Sequence, residues 1–225
     1  LSLPNSNKYT AVMMAAAANN PFSASLLKEL LAPVAWREKP NPETLNAQSA
    51  SGLTALHWCC INRNAQTLGL LLKAGADHTI LDSKGQTAFQ KAAMWDAVDC
   101  MQKLYRADRT CLLHRDVLGR QALHLAAQAG HTAALSFVIR RMTKNDLNNR
   151  DYCHAFDRLD SSTHSQSQNQ GWTAAELAVV CGAGDCVAML GKAGAEMPKA
   201  GDPKLVKLGN HHGSVNERTD NMVGE

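Results

Sequence analysis

Aromatic residues are scarce in this chain, at 11 of 225, and charged residues make up only 19%, below the roughly 25% of an average soluble protein. Against that stand 34 alanines. A core of Ala, Leu, Val and Cys excludes a β-sandwich rich in Val, Thr and Tyr and predicts closely packed helices. Neither sign of charge dominates: 23 Lys+Arg against 20 Asp+Glu leave a net charge of +3, too small to imply nucleic acid or an anionic membrane as partner. No apolar run approaches the ~18 residues of a membrane span. Ala11–Ala18 is too short, and too rich in Ala over Leu, for a signal-peptide core, and it fits the repeat frame described next. The hydrophobic fraction of 45% excludes a disordered chain. Seven cysteines, an odd number with no C-x-x-C pair, argue against a disulfide framework and for a reducing compartment, cytoplasm or nucleus. The chain starts on Leu rather than Met, so it is expected to be an excised fragment of a longer protein.

What the chain has in abundance is self-similarity. Gly52-Leu53-Thr54-Ala55-Leu56-His57 returns as Gly85-Gln86-Thr87-Ala88-Phe89-Gln90, as Gly119-Arg120-Gln121-Ala122-Leu123-His124 and as Gly171-Trp172-Thr173-Ala174-Ala175-Glu176. A fainter copy, Lys8-Tyr9-Thr10-Ala11-Val12-Met13, opens the chain. The spacings of 44, 33, 34 and 52 residues describe a 33-residue period with insertions of 11, 0, 1 and 19. Inside each unit an apolar i, i+3, i+4 triplet (Leu56, Cys59 and Cys60; Phe89, Ala92 and Ala93; Leu123, Ala126 and Ala127; Ala175, Ala178 and Val179) leads about twelve residues on to a second. That pattern predicts two short amphipathic helices per unit. In the first unit the second triplet, Leu27, Leu30 and Leu31, falls three residues late. Thr10, Thr54, Thr87 and Thr173 stand where a hydroxyl caps the first helix, Gly130 and Gly182 at the turn between helices, and Gly75 and Gly194 where a left-handed residue ends the second helix.

T-A-L-H, a turn, a Leu triplet and K-A-G-A-D together resemble the ankyrin repeat. Residues 49–81 are the nearest match, and the fourth unit keeps Ala122-Leu123-His124-Leu125-Ala126-Ala127 with Gly130-His131. The resemblance covers residues 5–200 as five units, near 5–48, 49–81, 82–115, 116–167 and 168–200, followed by a loosely ordered tail at 201–225. It implies an all-α helical repeat solenoid with short inter-repeat β-turns or hairpins, here carrying two long loop insertions, Ala32–Gln48 and Thr143–Ser167. Departures exist: no Pro follows the capping Thr, Gln121 replaces Thr, and Asp108-Arg109 replaces the Gly-Ala after the second helix. His occurs at the repeat position only at His57 and His124, so the Thr–His bond typical of the family is expected only at His57.

The motifs of catalysis are missing. No Walker loop, strand-linked G-x-G-x-x-G, H-E-x-x-H or G-x-S-x-G occurs, so no enzyme activity and no cofactor are expected. His57 and His124 recur at one repeat position and read as structural. Cys59-Cys60 and Cys181/Cys186 fall at core and inter-helix positions with no base in view, and His211-His212 lack further ligands at metal spacing. The resemblance implies instead a non-enzymatic protein–protein interaction module, monomeric, with a concave groove beside finger-like turns. Groove positions are Ile61, Asn62, Met94, Trp95 and Gln128; finger positions are Leu53, Lys84, Gln86, Arg120 and Trp172. Exposed Trp, Met and Arg are enriched where partners bind, while packing on neighbouring turns is the competing reading for Trp95 and Trp172. The insertions read equally as binding loops or as tolerated spacers. The alternatives are a substrate-recruiting domain of a larger enzyme or a secreted bacterial effector acting in host cytosol.

Overall fold

A computed structural model describes residues 8–18, 22–31, 42–151 and 171–199. Most of the insertion Ala32–Gln48, residues 152–167 of the second insertion and the tail at 201–225, with His211 and His212, lie outside the described residues. The first helices of the units are α1 (Ala11–Ala17), α4 (Ala55–Ile61), α6 (Ala88–Met94), α8 (Ala122–Gln128) and α11 (Ala174–Val180). The second helices are α2 (Ser23–Leu31), α5 (Ala65–Lys73), α7 (Val98–Ala107), α9 (Thr132–Ile139) and α12 (Gly184–Ala193). Short helical turns, α3 (Pro42–Leu45) and α10 (Lys144–Leu147), fall between the first and second units and between the fourth and fifth.

Each first helix packs on the next, α1 on α4, α4 on α6, α6 on α8 and α8 on α11. The second helices form a parallel row, α2 on α5, α5 on α7, α7 on α9 and α9 on α12. Seven-residue helices are marginal alone in water, so their stability comes from this stacking. Alanine makes the close approach possible: Ala92, Ala93, Ala126, Ala127 and Ala178 are all fully buried between neighbouring units. A single apolar cluster runs from Val12 to Ala195.

Helix starts follow the sequence pattern. Thr10 Oγ1 accepts the Met13 amide at 3.3 Å, Thr87 that of Gln90 at 3.3 Å and Thr173 that of Glu176 at 3.2 Å. The turn between helices demands a left-handed residue in every unit where it is described. Gly130 (φ 73°) and Gly182 (φ 71°) supply it cheaply, but Arg63 (φ 55°) and Asp96 (φ 54°) occupy it at a cost. Both recover something across units: Arg63 Nε donates to the Trp95 carbonyl at 2.7 Å, and Asp96 Oδ1 accepts the Ala134 amide in the first turn of α9 at 2.9 Å. The Asp108-Arg109 departure is accommodated by a tight 3-10 turn, Arg109–Leu112, whose Thr110 amide donates to Asp108 Oδ1 at 2.8 Å.

Three expectations are corrected. In α2 the buried positions are Ser23, Ala24 and Leu27, which match Thr67, Leu68 and Leu71, so the first unit keeps register. Leu30 and Leu31 only flank the core; an alanine in the key position hid the phase. Val179 is exposed although its equivalents Cys60, Ala93 and Ala127 are buried, because no described unit stacks beyond α11. Residues 143–151 of the second insertion are built into the stack: Thr143 caps α10, and Arg150 bridges antiparallel to Thr173.

Candidate partner-binding surface

The turns that open successive units share one construction. Ser49, Asp82 and Asp116 each start a turn closed by the amide of Gly52, Gly85 or Gly119, and each pairs its own amide with the carbonyl of Leu53, Gln86 or Arg120. Asp82 Oδ1 accepts the Lys84 and Gln86 amides; Asp116 Oδ1 accepts those of Leu118 and Arg120. The turns also stack on each other, with Ser83 N donating to Ser51 O and Val117 N to Lys84 O, both at 3.1 Å. Gly52 is required twice over: its φ is 75°, and a Cβ there would lie 2.7 Å from the Ser83 nitrogen.

At the junction of the third and fourth units the second oxygens of these aspartates join a polar relay. Lys91 Nζ lies 2.7 Å from Asp82 Oδ2 and 2.8 Å from Gln86 Oε1. Gln86 Nε2 donates to Asp116 Oδ2 at 2.9 Å, which also receives Arg120 Nε and Nη2 at 3.0 and 2.8 Å. Arg120 Nη1 reaches Gln128 Oε1 at 3.2 Å. Burial pushes the Asp82 carboxyl up, but the hydrogen bonds from Lys91 and from the Gln86 and Lys84 amides outweigh it and hold the group below the usual carboxylate range. Lys84 is drawn below the ordinary lysine value, first by partial desolvation and then by the repulsion of Lys91 and Arg120.

Of the residues expected on this surface, Gln86, Arg120 and Gln128 are thus linked directly, with exposed Lys84 beside them. Met94 and Trp95 are half-buried at the C-terminal end of α6, and Leu53 and Ile61 are half-buried in the second unit. Asn62 is also half-buried, its Nδ2 donating to Ala17 O at 2.9 Å and so tying two units together. Two positions expected to be exposed are not. Gln86 is buried at 1% because its amide is consumed at both ends by Lys91 and Asp116. Trp172 is 7% exposed and packs with Leu177 and Val180 on its own first helix. Sequence reasoning missed Trp58 and Lys91, which share one phase of α4 and α6. Trp58 is half-buried against Tyr9, ring centroids 5.7 Å apart.

His57 and His124 are structural. Nδ1 of His57 faces the Thr54 amide at 3.1 Å, which only donates, and its Nε2 faces the Gln86 carbonyl at 3.0 Å, which only accepts. That fixes the neutral ring with its proton on Nε2. His124 repeats the arrangement between the Gln121 amide, 3.2 Å, and the Asn149 carbonyl, 2.9 Å; the bond expected at His57 alone therefore has a backbone counterpart despite Gln121. Burial pushes both rings down to about 4. Burial raises the Cys59 and Cys60 thiols and pushes Cys111 up to about 12, which favours the neutral thiol. Among the described residues no three His, Cys, Asp or Glu side chains are grouped to hold a metal, and no helix is long and apolar enough to cross a membrane.

Comparison with known proteins fits this geometry. Over 131 residues the chain is 33% identical to the tyrosine-protein kinase HTK16 of Hydra vulgaris, covering 58% of this chain and 16% of that protein. It is 31% identical over 163 residues to the E3 ubiquitin-protein ligase XBAT33 of Arabidopsis thaliana, covering 67% of this chain and 31% of that protein. Over 86 residues it is 33% identical to a Caenorhabditis elegans transient receptor potential cation channel subfamily A member 1 homolog, covering 38% and 7%. The chain thus spans less than a third of the length of each. A family model for ankyrin repeats (3 copies) matches residues 12–114 and again 70–151. With more than half of its length matched in register, the chain belongs to the ankyrin-repeat family.

Proposed function

We propose that the chain is a non-enzymatic, monomeric interaction module that holds a segment of a partner protein along the exposed ends of its first helices and the turns beside them. Ankyrin repeats generally act as protein–protein interaction modules, and the fold is typically non-catalytic. The observation that carries the reading is the strip itself. Leu53, Ile61, Met94, Trp95, Arg120 and Gln128 are all partly exposed, they come from three successive units, and turn-to-turn bonds and the relay hold that part of the stack fixed. A preorganised surface loses little entropy on binding, and Trp, Met and Arg are the side chains that most often anchor a partner. Lys84 extends the strip to the turn tips, Gln86 ties its turn to Lys91 and Asp116, Asn62 ties the second unit to the first, and Trp172 lies on its own first helix in the fifth unit. The six described cysteines are free thiols, which suits a reducing compartment such as the cytoplasm or nucleus. Hydrogen-exchange footprinting of a bound partner segment should protect residues 53–61, 84–95 and 117–128. Protection confined to α5, α7, α9 and α12 would place the interface on the opposite face and defeat the reading.

A second reading, that the module recruits substrate for an enzyme elsewhere in a longer chain, is favoured by the relatives named as a tyrosine-protein kinase and an E3 ubiquitin-protein ligase, of which this chain covers 16% and 31%. Both readings use the same surface.

A further inference from the structure

The charges on the partner-binding strip are sorted by depth. Asp82, Asp116 and Glu176, the carboxylates of the described turns and first helices nearest the strip, are buried at 8%, 4% and 7%. Each is engaged: Asp82 by Lys91 and two amides, Asp116 by Arg120, Gln86 and two amides, Glu176 by Arg150 and the Thr173 amide. The cations above them reach solvent. Lys84 is exposed at the turn tip and Arg120 is partly exposed, while Lys91 is buried against Asp82 and Gln86. Lys84 is depressed by partial desolvation and then by Lys91 and Arg120, so the three positive groups act on one region of space. Among the described residues the exposed acids are Glu29, Asp99 and Asp185 on second helices, Asp77 and Glu196 in the loops after them, and Glu43 on α3; half-buried Asp96, next to Trp95, has its Oδ1 on the Ala134 amide.

Resting on the groove reading above, we infer that the segment bound there is acidic, and that it places a carboxylate at Lys84 and Arg120 between apolar side chains that lie on Trp58, Ile61 and Met94. A carboxylate at this point exchanges water for charge-assisted hydrogen bonds from donors already held in place. At the turn it meets Lys84 and Arg120, whose positive field speeds its encounter. A nucleic acid is the poorer fit. Its backbone needs a track of cations at successive phosphates, whereas here the positive groups gather at one junction and the half-buried positions before it, Trp58 and Ile61, are apolar.

The test is to pan a displayed random dodecapeptide library on the immobilised full chain. Selected peptides are then titrated, fluorescein-labelled, against wild type, Lys84→Glu, Trp95→Ala and the outer-helix control Lys73→Glu, with an oligothymidylate as a nucleic-acid probe. Lys73 is exposed at the end of α5, so its reversal changes net charge equally. Expected are peptides enriched in Asp and Glu, binding that falls with added salt, a loss of about tenfold or more on Lys84→Glu and little change on Lys73→Glu. Selected peptides that are neutral or basic, or acidic peptides that bind Lys84→Glu as well as wild type, would overturn the inference; if they still lose affinity on Trp95→Ala, the groove reading survives without it. Tighter binding of the oligothymidylate than of any peptide also overturns it. Recovery of no peptide at all counts against both.

Discussion

His57 Nε2 donates to the carbonyl of Gln86 at 3.0 Å and so fastens the second unit to the turn that opens the third. Gln90 does the same work one unit on without a titrating ring: its Oε1 accepts the Thr87 amide at 3.0 Å and its Nε2 donates to the Arg120 carbonyl at 2.8 Å. His124 repeats the bond toward Asn149. Protonating either imidazole at Nδ1 would set an N–H against the Thr54 or Gln121 amide that now donates to it.

Acid should therefore loosen the stack before it touches most carboxylates. Both rings have their pKa lowered from 6.5 to about 4 by burial. Above pH 6.5 they are neutral in the folded and unfolded states and the stabilisation is complete. Between 6.5 and 4 the unfolded chain takes up protons that the folded chain refuses, so stability falls as pH falls, by on the order of 3 kcal/mol for each ring. Replacing both with the residue of the third unit, His57→Gln with His124→Gln, should leave the unfolding midpoint nearly unchanged at pH 7 and remove most of the decline between pH 6.5 and 4. An equally steep decline in the double variant would assign the acid sensitivity to other groups.

Lys91 is 10% exposed and Asp82 3% by side chain. Removing one partner of a buried pair strands the other charge, which typically costs about 3–5 kcal/mol. Lys91→Met should lower stability in urea unfolding by that order, and adding Asp82→Asn should restore a good part of it by removing the stranded carboxylate. A single variant as stable as wild type would mean that the relay contributes nothing to the junction.

Cutting the chain after Leu118 removes α8, which covers the Ala92–Ala93 face of α6, and α9, which covers α7. The remaining units would expose an apolar, alanine-lined end to water, so the fragment should unfold at a lower temperature and associate with rising concentration. A soluble fragment with an unchanged midpoint would contradict a stack in which each unit depends on the next.

Much of this was legible in the residues because the repeat is written in short-range chemistry. The Thr caps, the first-helix triplets and the left-handed positions all depend on neighbours a few residues away. The burial of Gln86 depends on Asp116, 30 residues on, and on Lys91, and an amide carries no sign of whether its two ends will be consumed. Trp172 belongs to the same case: Leu177 and Val180 lie one and two helical turns further on, yet an aromatic residue at a turn reads equally as anchor or as packing. In α2 a small Ala24 stands where Leu68 stands in α5, so the run Leu27, Leu30 and Leu31 gave a stronger apolar signal than the buried phase of Ala24 and Leu27. Trp58 was missed because its repeat position holds Met14, Trp58, Lys91, Leu125 and Leu177 in turn, exposed at Met14 and buried from Lys91 onward, with no common chemistry to mark it.

The central claim is that the strip, not the insertion within the last turn, holds the partner. Calorimetric titration of one partner segment against wild type, Trp95→Ala and a chain whose residues 152–170 are replaced by a short Gly-Ser turn tests it most directly. A buried Trp anchor typically contributes at least about 2 kcal/mol, roughly 30-fold in affinity. Trp95→Ala should weaken binding by that order with an unchanged unfolding midpoint, since the contact from Arg63 is to the Trp95 backbone carbonyl, and the loop replacement should weaken it less. Abolished binding in the loop variant with full affinity in Trp95→Ala would show that the insertion is the recognition element.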